Sequence, residues 1–160
     1  MDAFLDMIGD VYEVVAFTAS LAKYADPVLD LLDPKRHCKH RLFRDVCTFY
    51  RGSYIKNLSL LSRPIEATII VDNSPPSYAF HPRNAIDVTS YVGGDDSDTE
   101  LLTIGAFLLR IKDVSSSRLA LNPVAALLTP YPQVPDVRPH LQHWRQGAAY
   151  DPNSNAERAR

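Results

Sequence analysis

The chain has few of the features that mark a secreted or membrane protein. Its 160 residues contain two cysteines, one tryptophan and six glycines. Two cysteines cannot build the disulfide framework of a small secreted domain, and they fit a reducing compartment. No uncharged apolar stretch approaches the roughly 20 residues that a membrane-spanning helix needs. The acidic N-terminal sequence resembles neither a signal peptide nor a transit peptide. We therefore expect a nuclear or cytoplasmic protein with no membrane span.

Neither sign of charge dominates the composition, which has 17 lysines and arginines against 19 aspartates and glutamates. The two signs are unevenly distributed. Residues 1–34 carry seven acids and one base, whereas residues 35–56 carry seven bases and one acid. This asymmetry predicts a local basic surface. We expect no direct binding of nucleic acid, because the whole chain is slightly acidic and no known binding module is present.

Apolar periodicity predicts an α/β fold. A short amphipathic helix should lead into a strand over 12–17, and a second helical stripe should end near Pro34. Aromatic and β-branched residues interleaved with charges over 42–54 predict a small antiparallel insert. The run 67–71 is typical of a parallel strand buried on both faces. Three further elements are expected: a short helix over 56–61, a strand over 86–91, and a helix over 98–111 opened by a capping box of Ser97 and Glu100.

The C-terminal part of the chain differs in composition. Six of the twelve prolines lie between 123 and 160, among apolar residues without a sustained period. Such a segment does not bury enough apolar surface to offset its ordering entropy. We therefore predict a folded unit over 1–114 and a proline-rich, disordered tail over 115–160.

Two apolar runs each end in small polar groups. The first leads to Thr18, the second leads to Asp72 and Asn73, and Lys56 lies between them in the sequence. Ligands of open α/β sheets bind beyond the carboxyl ends of strands. A hydroxyl, a lysine and a carboxylate delivered there suit an anionic, metal-assisted substrate. The pattern predicts a phosphate site.

Each of these residues also has an ordinary explanation. Thr18 could simply close a strand, Lys56 could be a solvated helix residue, and Asp72–Pro76 could be a strand-to-turn signal. The basic residues near 44 could form a solvated face, and Leu21 and Tyr24 lie at helical spacing typical of core residues. A zinc site is not expected, because the spacing of its possible ligands fits no common pattern. Those possible ligands are His37, Cys38, His40 and Cys47.

Several motifs in a fixed order resemble those of the small phosphatases of the RNA polymerase II C-terminal domain, in the haloacid-dehalogenase superfamily. The resemblance covers roughly 2–114. Dullard-type phosphatases and the phosphatase-like receptor of the mitochondrial inner-membrane translocase share much of it. The motifs are FTASLAKYADP (17–27), RLFR (41–44), SYIKNLS (53–59), VDNSP (71–75), HPRNA (81–85) and SDTEL (97–101).

The resemblance implies roles for individual residues. Thr18 would bind phosphate oxygens, and Lys56 would neutralise the charge of the phosphate and of an aspartyl-phosphate intermediate. Asn73 would hold Mg²⁺, and Asp72 would orient the lysine and the metal shell. Arg44 matches a position that contacts the substrate phosphate.

Two further residues, Leu21 and Tyr24, match part of an apolar pocket that receives a substrate proline. The family's first motif, Asp-x-Asp-x-Thr, supplies the nucleophile and general acid, and this pattern occurs nowhere in 1–160. Asp95–Thr99 imitates it, but this segment precedes a predicted helix rather than following an apolar strand. We interpret it as a cap and loop.

The resemblance implies an α/β, parallel-sheet haloacid-dehalogenase-like core with a small antiparallel β insert, truncated at its first strand. It also implies a magnesium-dependent protein serine/threonine phosphatase acting on phosphoserine-proline peptides, with the RNA polymerase II tail as one candidate substrate. Without the first motif, this chain is expected to be inactive. The alternative is a non-catalytic phosphatase-like binding protein, as in the translocase receptor.

Overall fold

The computed structural model describes residues 1–94, 97–116 and 136–147. These ranges form four α-helices and six β-strands, joined in part by single turns of 3₁₀ helix. The helices are α1 (Asp2–Ile8), α2 (Ala22–Leu32), α3 (Glu100–Ser116) and α4 (Arg138–Arg145). The strands are β1 (Val14–Phe17), β2 (Cys38–Leu42), β3 (Thr48–Tyr50), β4 (Ser53–Ile55), β5 (Ile70–Asp72) and β6 (Ala85–Asp87). No helix within these ranges has the length and apolarity to cross a membrane.

The strands form three separate pairs. β1 pairs with β2 and β5 with β6, both parallel, whereas β3 and β4 form an antiparallel hairpin. This arrangement confirms the predicted α/β class, with parallel strands and a small antiparallel insert. In the described part of the chain, neither β1 nor β5 has a second strand partner. The predicted strands over 12–17, 67–71 and 86–91 are present with shifted bounds.

Sequence analysis predicted no strand at β2. This strand carries charged and polar side chains at three of its five positions, and its residues are exposed or half-buried. It nevertheless pairs in parallel with β1, with Val15 opposite His40 and Phe17 opposite Leu42. Main-chain hydrogen bonds do not depend on the pattern of side chains, so a strand held largely by them need show no apolar periodicity.

The main hydrophobic core lies between helices α1, α3 and α4 and the strand β6. The helices contribute long apolar side chains, and the Tyr12 hydroxyl donates a hydrogen bond of 2.7 Å to the carbonyl of Leu108. This core therefore joins the first helix to the last ones. Its buried members are Phe4, Leu5, Ile8, Ile86, Ile104, Phe107, Leu108, Ile111, Val137 and Leu141.

The structure corrects the prediction of a disordered tail for residues 136–147. Helix α4 lies in this range, and its Leu141 is completely buried. The rings of Trp144 and Phe107 are 4.5 Å apart between centroids. Val137, Leu141 and Trp144 recur at helical spacing and form one short apolar face. The remaining tail residues lie outside the described ranges. Helix α3 runs past position 114, and the predicted boundary between a folded unit over 1–114 and a tail over 115–160 stays a prediction.

Helix α2 forms where the second apolar stripe predicted it, but its apolar residues are not buried against the described part of the chain. Leu31 is 81% exposed and Tyr24 is 64% exposed. The helix is held to β2 by charge instead, because Arg41 donates hydrogen bonds to Asp26 and Asp30 at 2.6 and 2.7 Å. The interpretation of these apolar residues as core is therefore wrong for the described fold.

Candidate phosphate site

The centre of the candidate site is a buried ion pair. The Lys56 ammonium group donates a hydrogen bond to the carboxylate of Asp72. The side chains are 14% and 4% exposed, respectively. Lys56 follows β4 and Asp72 ends β5, so the pair joins the hairpin to a parallel strand. A buried lysine that already has a partner supplies positive charge in a fixed place.

The backbone around this pair is also held in place. The second carboxylate oxygen of Asp72 accepts the backbone N–H of Ser74 at 2.8 Å, which makes an Asx-type turn at the end of β5. The backbone N–H of Lys56 donates to the carbonyl of Ser77 at 2.7 Å. Both oxygens of Asp72 are therefore engaged, one with the lysine and one with its own turn.

Thr18 and Arg44 lie together at the carboxyl end of β1. The Thr18 N–H extends the strand pairing through a bond of 2.9 Å to Leu42, and its hydroxyl oxygen accepts the N–H of Ser20 at 3.1 Å. Arg44 donates from Nε to the carbonyl of Ala19 at 2.6 Å. The guanidinium is thus held against the short loop that carries the threonine hydroxyl.

Cys47 lies against the carbonyl of Thr18. Its thiol lies 3.8 Å from the carbonyl oxygen of Thr18. Burial raises the pKa of the Cys47 thiol, and the nearby charges of Lys56 and Arg44 act in the opposite direction. Cys47 therefore lies against the Thr18 loop, to which Arg44 is also bonded, whereas Lys56 pairs with Asp72. Sequence reasoning assigned Cys47 no part in the site.

Asn73 is held by a residue that sequence reasoning did not select. Its side-chain amide nitrogen donates to the hydroxyl of Ser90 at 2.8 Å. The backbone of the preceding residue, Thr89, donates to the Glu100 carboxylate at 2.9 Å, which ties the Ser90 loop to the start of α3. Because the amide nitrogen of Asn73 is engaged with Ser90, the side-chain carbonyl oxygen of Asn73 is the atom that could bind a metal ion. No signal in the sequence pointed to Ser90.

The described residues contain no cluster of three or more histidines, cysteines, aspartates or glutamates that could hold a metal ion. Carbonyl and carboxylate oxygens are the ligands that Mg²⁺ prefers. The Asn73 side-chain oxygen has that chemistry, whereas both oxygens of Asp72 have other partners.

Leu21 and Tyr24 lie at the start of α2, directly after the Thr18 loop. Leu21 is 40% exposed, and the carbonyl of the adjacent Ser20 accepts the N–H of Arg44 at 3.1 Å. Both predicted apolar pocket residues are therefore accessible, and Leu21 adjoins a residue that bonds the Arg44 backbone. The Lys23 ammonium lies 4.8 Å from the centre of the Tyr24 ring.

Comparison with known proteins decides the family. The sequence profile of the NLI interacting factor-like phosphatases matches residues 1–118. The chain belongs to this family. This membership confirms the resemblance to the small phosphatases of the RNA polymerase II C-terminal domain (CTD) on which the site residues were selected.

Individual proteins similar to this chain are named as CTD small phosphatases. The CTD small phosphatase-like protein 1 of Caenorhabditis elegans is 54% identical over 116 residues, which are 72% of this chain and 23% of that protein. The human CTD small phosphatase-like protein is 54% identical over 119 residues, which are 72% of this chain and 43% of that protein. The human carboxy-terminal domain RNA polymerase II polypeptide A small phosphatase 1 is 51% identical, and the match covers 72% of this chain and 45% of that protein. The chain thus spans less than half the length of each.

One solved structure is also similar. The fission yeast RNA polymerase II CTD phosphatase Fcp1 bound to beryllium fluoride aligns with a TM-score of 0.48 and 18% identity. The alignment covers 92% of this chain and 50% of that chain.

Proposed function

We propose that this chain carries the phosphate- and peptide-binding part of a protein serine/threonine phosphatase of the CTD small phosphatase type. The observation that supports it best is the buried Lys56–Asp72 pair at the carboxyl end of β5, and the bond of Arg44 to the loop that follows Thr18 adds to it. Lys56 and Arg44 would bind phosphate oxygens through charge-assisted hydrogen bonds. The Thr18 hydroxyl would donate a further bond.

The proposed substrate is a phosphoserine-proline peptide. Leu21 and Tyr24 are accessible apolar side chains at the start of α2, directly after the loop that bonds Arg44, and they would receive a substrate proline. The printed name of one relative refers to the RNA polymerase II C-terminal domain, so that tail is a candidate substrate. A nuclear or cytoplasmic location is part of the same proposal.

Mg²⁺ is the proposed cofactor. Asn73 would hold it through the side-chain oxygen that its bond to Ser90 leaves free. When bound, the ion would neutralise phosphate charge. Asp72 would act on Lys56 rather than on the metal directly, because the ammonium and the Ser74 N–H occupy its oxygens.

The nucleophile is the part of the proposed chemistry that these 160 residues do not contain. The aspartyl-phosphate intermediate of the family requires the Asp-x-Asp-x-Thr motif, which the sequence lacks. We therefore propose that this chain alone binds phosphopeptides without turning them over. The second candidate function is a non-catalytic phosphatase-like binding protein, which would use the same cationic groups, Lys56 and Arg44, to bind phosphate.

The test is a titration of one serine-proline peptide in phosphorylated and unphosphorylated forms against the 160-residue chain. We expect weak binding, on the order of tens of micromolar to millimolar, that requires the phosphate. Lys56→Ala should weaken it, whereas Lys39→Ala, at an exposed lysine of β2, should not. Equal binding of both peptides, or indifference to Lys56→Ala, would remove the phosphate-site interpretation.

A further inference from the structure

An exposed pair of aromatic rings lies on one face of the β3–β4 hairpin. Phe49 is directly opposite Tyr54 in the strand register, so both side chains project from the same face. Their ring centroids are 5.1 Å apart, and the planes are inclined by 56°. Phe49 is 64% exposed and Tyr54 is 37% exposed. We call these two rings the aromatic face.

The aromatic face is continuous with the candidate phosphate site. The guanidinium carbon of Arg44 lies 4.9 Å from the centre of the Tyr54 ring, which is the distance of a cation–π contact. The same guanidinium donates to the Ala19 carbonyl at the end of β1. Tyr54 and Ala19 thus hold Arg44 from two sides, and a ligand of Arg44 would lie next to the rings.

We propose that the aromatic face is a subsite for an aromatic side chain of a phosphorylated peptide, near the phosphoserine whose phosphate contacts Arg44. This inference rests on the proposed function. Phe49 would pack against the incoming ring, and Tyr54 would act as a positioning residue for Arg44. The charge of the surrounding segment supports a phosphorylated partner, because residues 35–56 carry seven bases and one acid.

Single-stranded nucleic acid is another class of ligand that binds aromatic rings beside arginines. It needs a track on which successive bases stack. The other exposed rings of this region are Tyr50 and Phe80, which contact each other at 5.4 Å. Because successive strand residues point to opposite faces, Tyr50 lies on the other face from Phe49. The two rings of the aromatic face do not extend into such a track, and a short peptide fits them better.

The experiment uses a set of phosphoserine peptides in which one tyrosine is moved from three residues before the phosphoserine to three residues after it. An alanine peptide without the ring is the reference. Binding to the 160-residue chain is measured by fluorescence anisotropy. We expect one tyrosine position to increase affinity over the reference peptide about threefold to tenfold, and Phe49→Ala to abolish that increase. Phe80→Ala is the matched control, at an exposed ring on the opposite face.

The role of Tyr54 has its own readout. Tyr54→Leu should weaken the reference phosphopeptide as well, because Arg44 loses its stacked ring, and Tyr54→Phe should restore the affinity. The subsite is wrong if no tyrosine position increases affinity, if Phe49→Ala and Phe80→Ala behave alike, or if a single-stranded oligonucleotide competes through Phe49. Phosphate-dependent, Lys56-dependent binding with no effect of Phe49 would overturn the subsite alone. Absence of phosphate dependence would overturn the proposed function as well.

Discussion

The Lys56 ammonium group meets the carboxylate of Asp72 across 16 residues of sequence, in a part of the site where both side chains are almost completely buried. The pair joins the β3–β4 hairpin to the β5–β6 pair. A cationic group of the candidate site is thus also part of a contact that holds two sheets of the fold together. Changes at this pair should affect stability as well as binding.

Replacing one partner of the pair should destabilise the chain. Asp72→Ala leaves the Lys56 ammonium buried without its carboxylate and removes the acceptor of the Ser74 N–H. We expect a loss of about 3 kcal/mol in the free energy of unfolding, measured by urea denaturation. Asp30→Ala is the control, because Asp30 is a mostly exposed partner of Arg41, and its loss should cost less than about 1 kcal/mol. Similar losses in both variants would contradict a structural role for the pair.

The purified 160-residue chain should not hydrolyse p-nitrophenyl phosphate above background in the presence of Mg²⁺. The physical reason is that loss of a covalent nucleophile removes the reaction path rather than one contact. A chain extended by an apolar strand ending in Asp-x-Asp-x-Thr should be active. Magnesium-dependent turnover by the 160-residue chain that disappears in Asp72→Ala would point to another nucleophile.

The stability of the chain should fall as the pH is lowered from about 7.5 to 5.5. Burial lowers the pKa of His81, and burial together with the charge of His143 lowers the pKa of His140. Below the ordinary value of 6.5 the unfolded chain binds protons that these buried rings do not accept, so protonation favours unfolding. The carboxylates with lowered pKa values lose their contribution only at lower pH, below ordinary values of 3.8 and 4.5.

Urea unfolding midpoints at several pH values check this prediction. The double variant His81→Asn/His140→Asn should show a flatter dependence over the same pH range than the wild type does. If the urea midpoint of the double variant changes with pH as much as that of the wild type, groups other than His81 and His140 determine the pH dependence.

Helix α4 should contribute measurably to the stability of the core. Leu141→Ala removes a completely buried side chain from the main cluster, and such truncations cost about 2–5 kcal/mol. The single tryptophan, Trp144, packs against Phe107, so its fluorescence reports whether α4 is docked. Gln142→Ala, at an exposed position of the same helix, is the matched control. Fluorescence and unfolding midpoints that are the same in both variants would contradict the packing of α4.

Much of the fold and the main site residues could be predicted from the sequence, because periodicity and motif order are local properties of the chain. The apolar spacing before Thr18 and Asp72 was enough to predict the strands that end there. The polar residues at those ends predicted a phosphate site before any geometry was known. The roles of Arg44 and Asn73 came from resemblance to a family to which the chain is now shown to belong.

Other features depended on contacts between distant segments. Strand β2 is held by backbone pairing with β1, which its polar side chains did not reveal. The apolar stripe of α2 forms a helix, but nothing within that stripe determines whether another element covers it. The prolines around helix α4 masked its short apolar pattern in the sequence. The helix is held by contacts with Phe107 and by the Glu66 backbone carbonyl, which accepts the Val137 N–H at 2.8 Å.

The sequence by itself determined the α/β class, the family and the residues that carry charge and hydroxyl groups in the site, because these follow from local patterns of residue type. Only the tertiary structure decided how those groups are held. Cys47 contacts the Thr18 carbonyl, Ser90 orients Asn73, and Tyr54 supports Arg44. Each of these contacts joins residues on different elements, and their geometry is set by the packing of strands and loops.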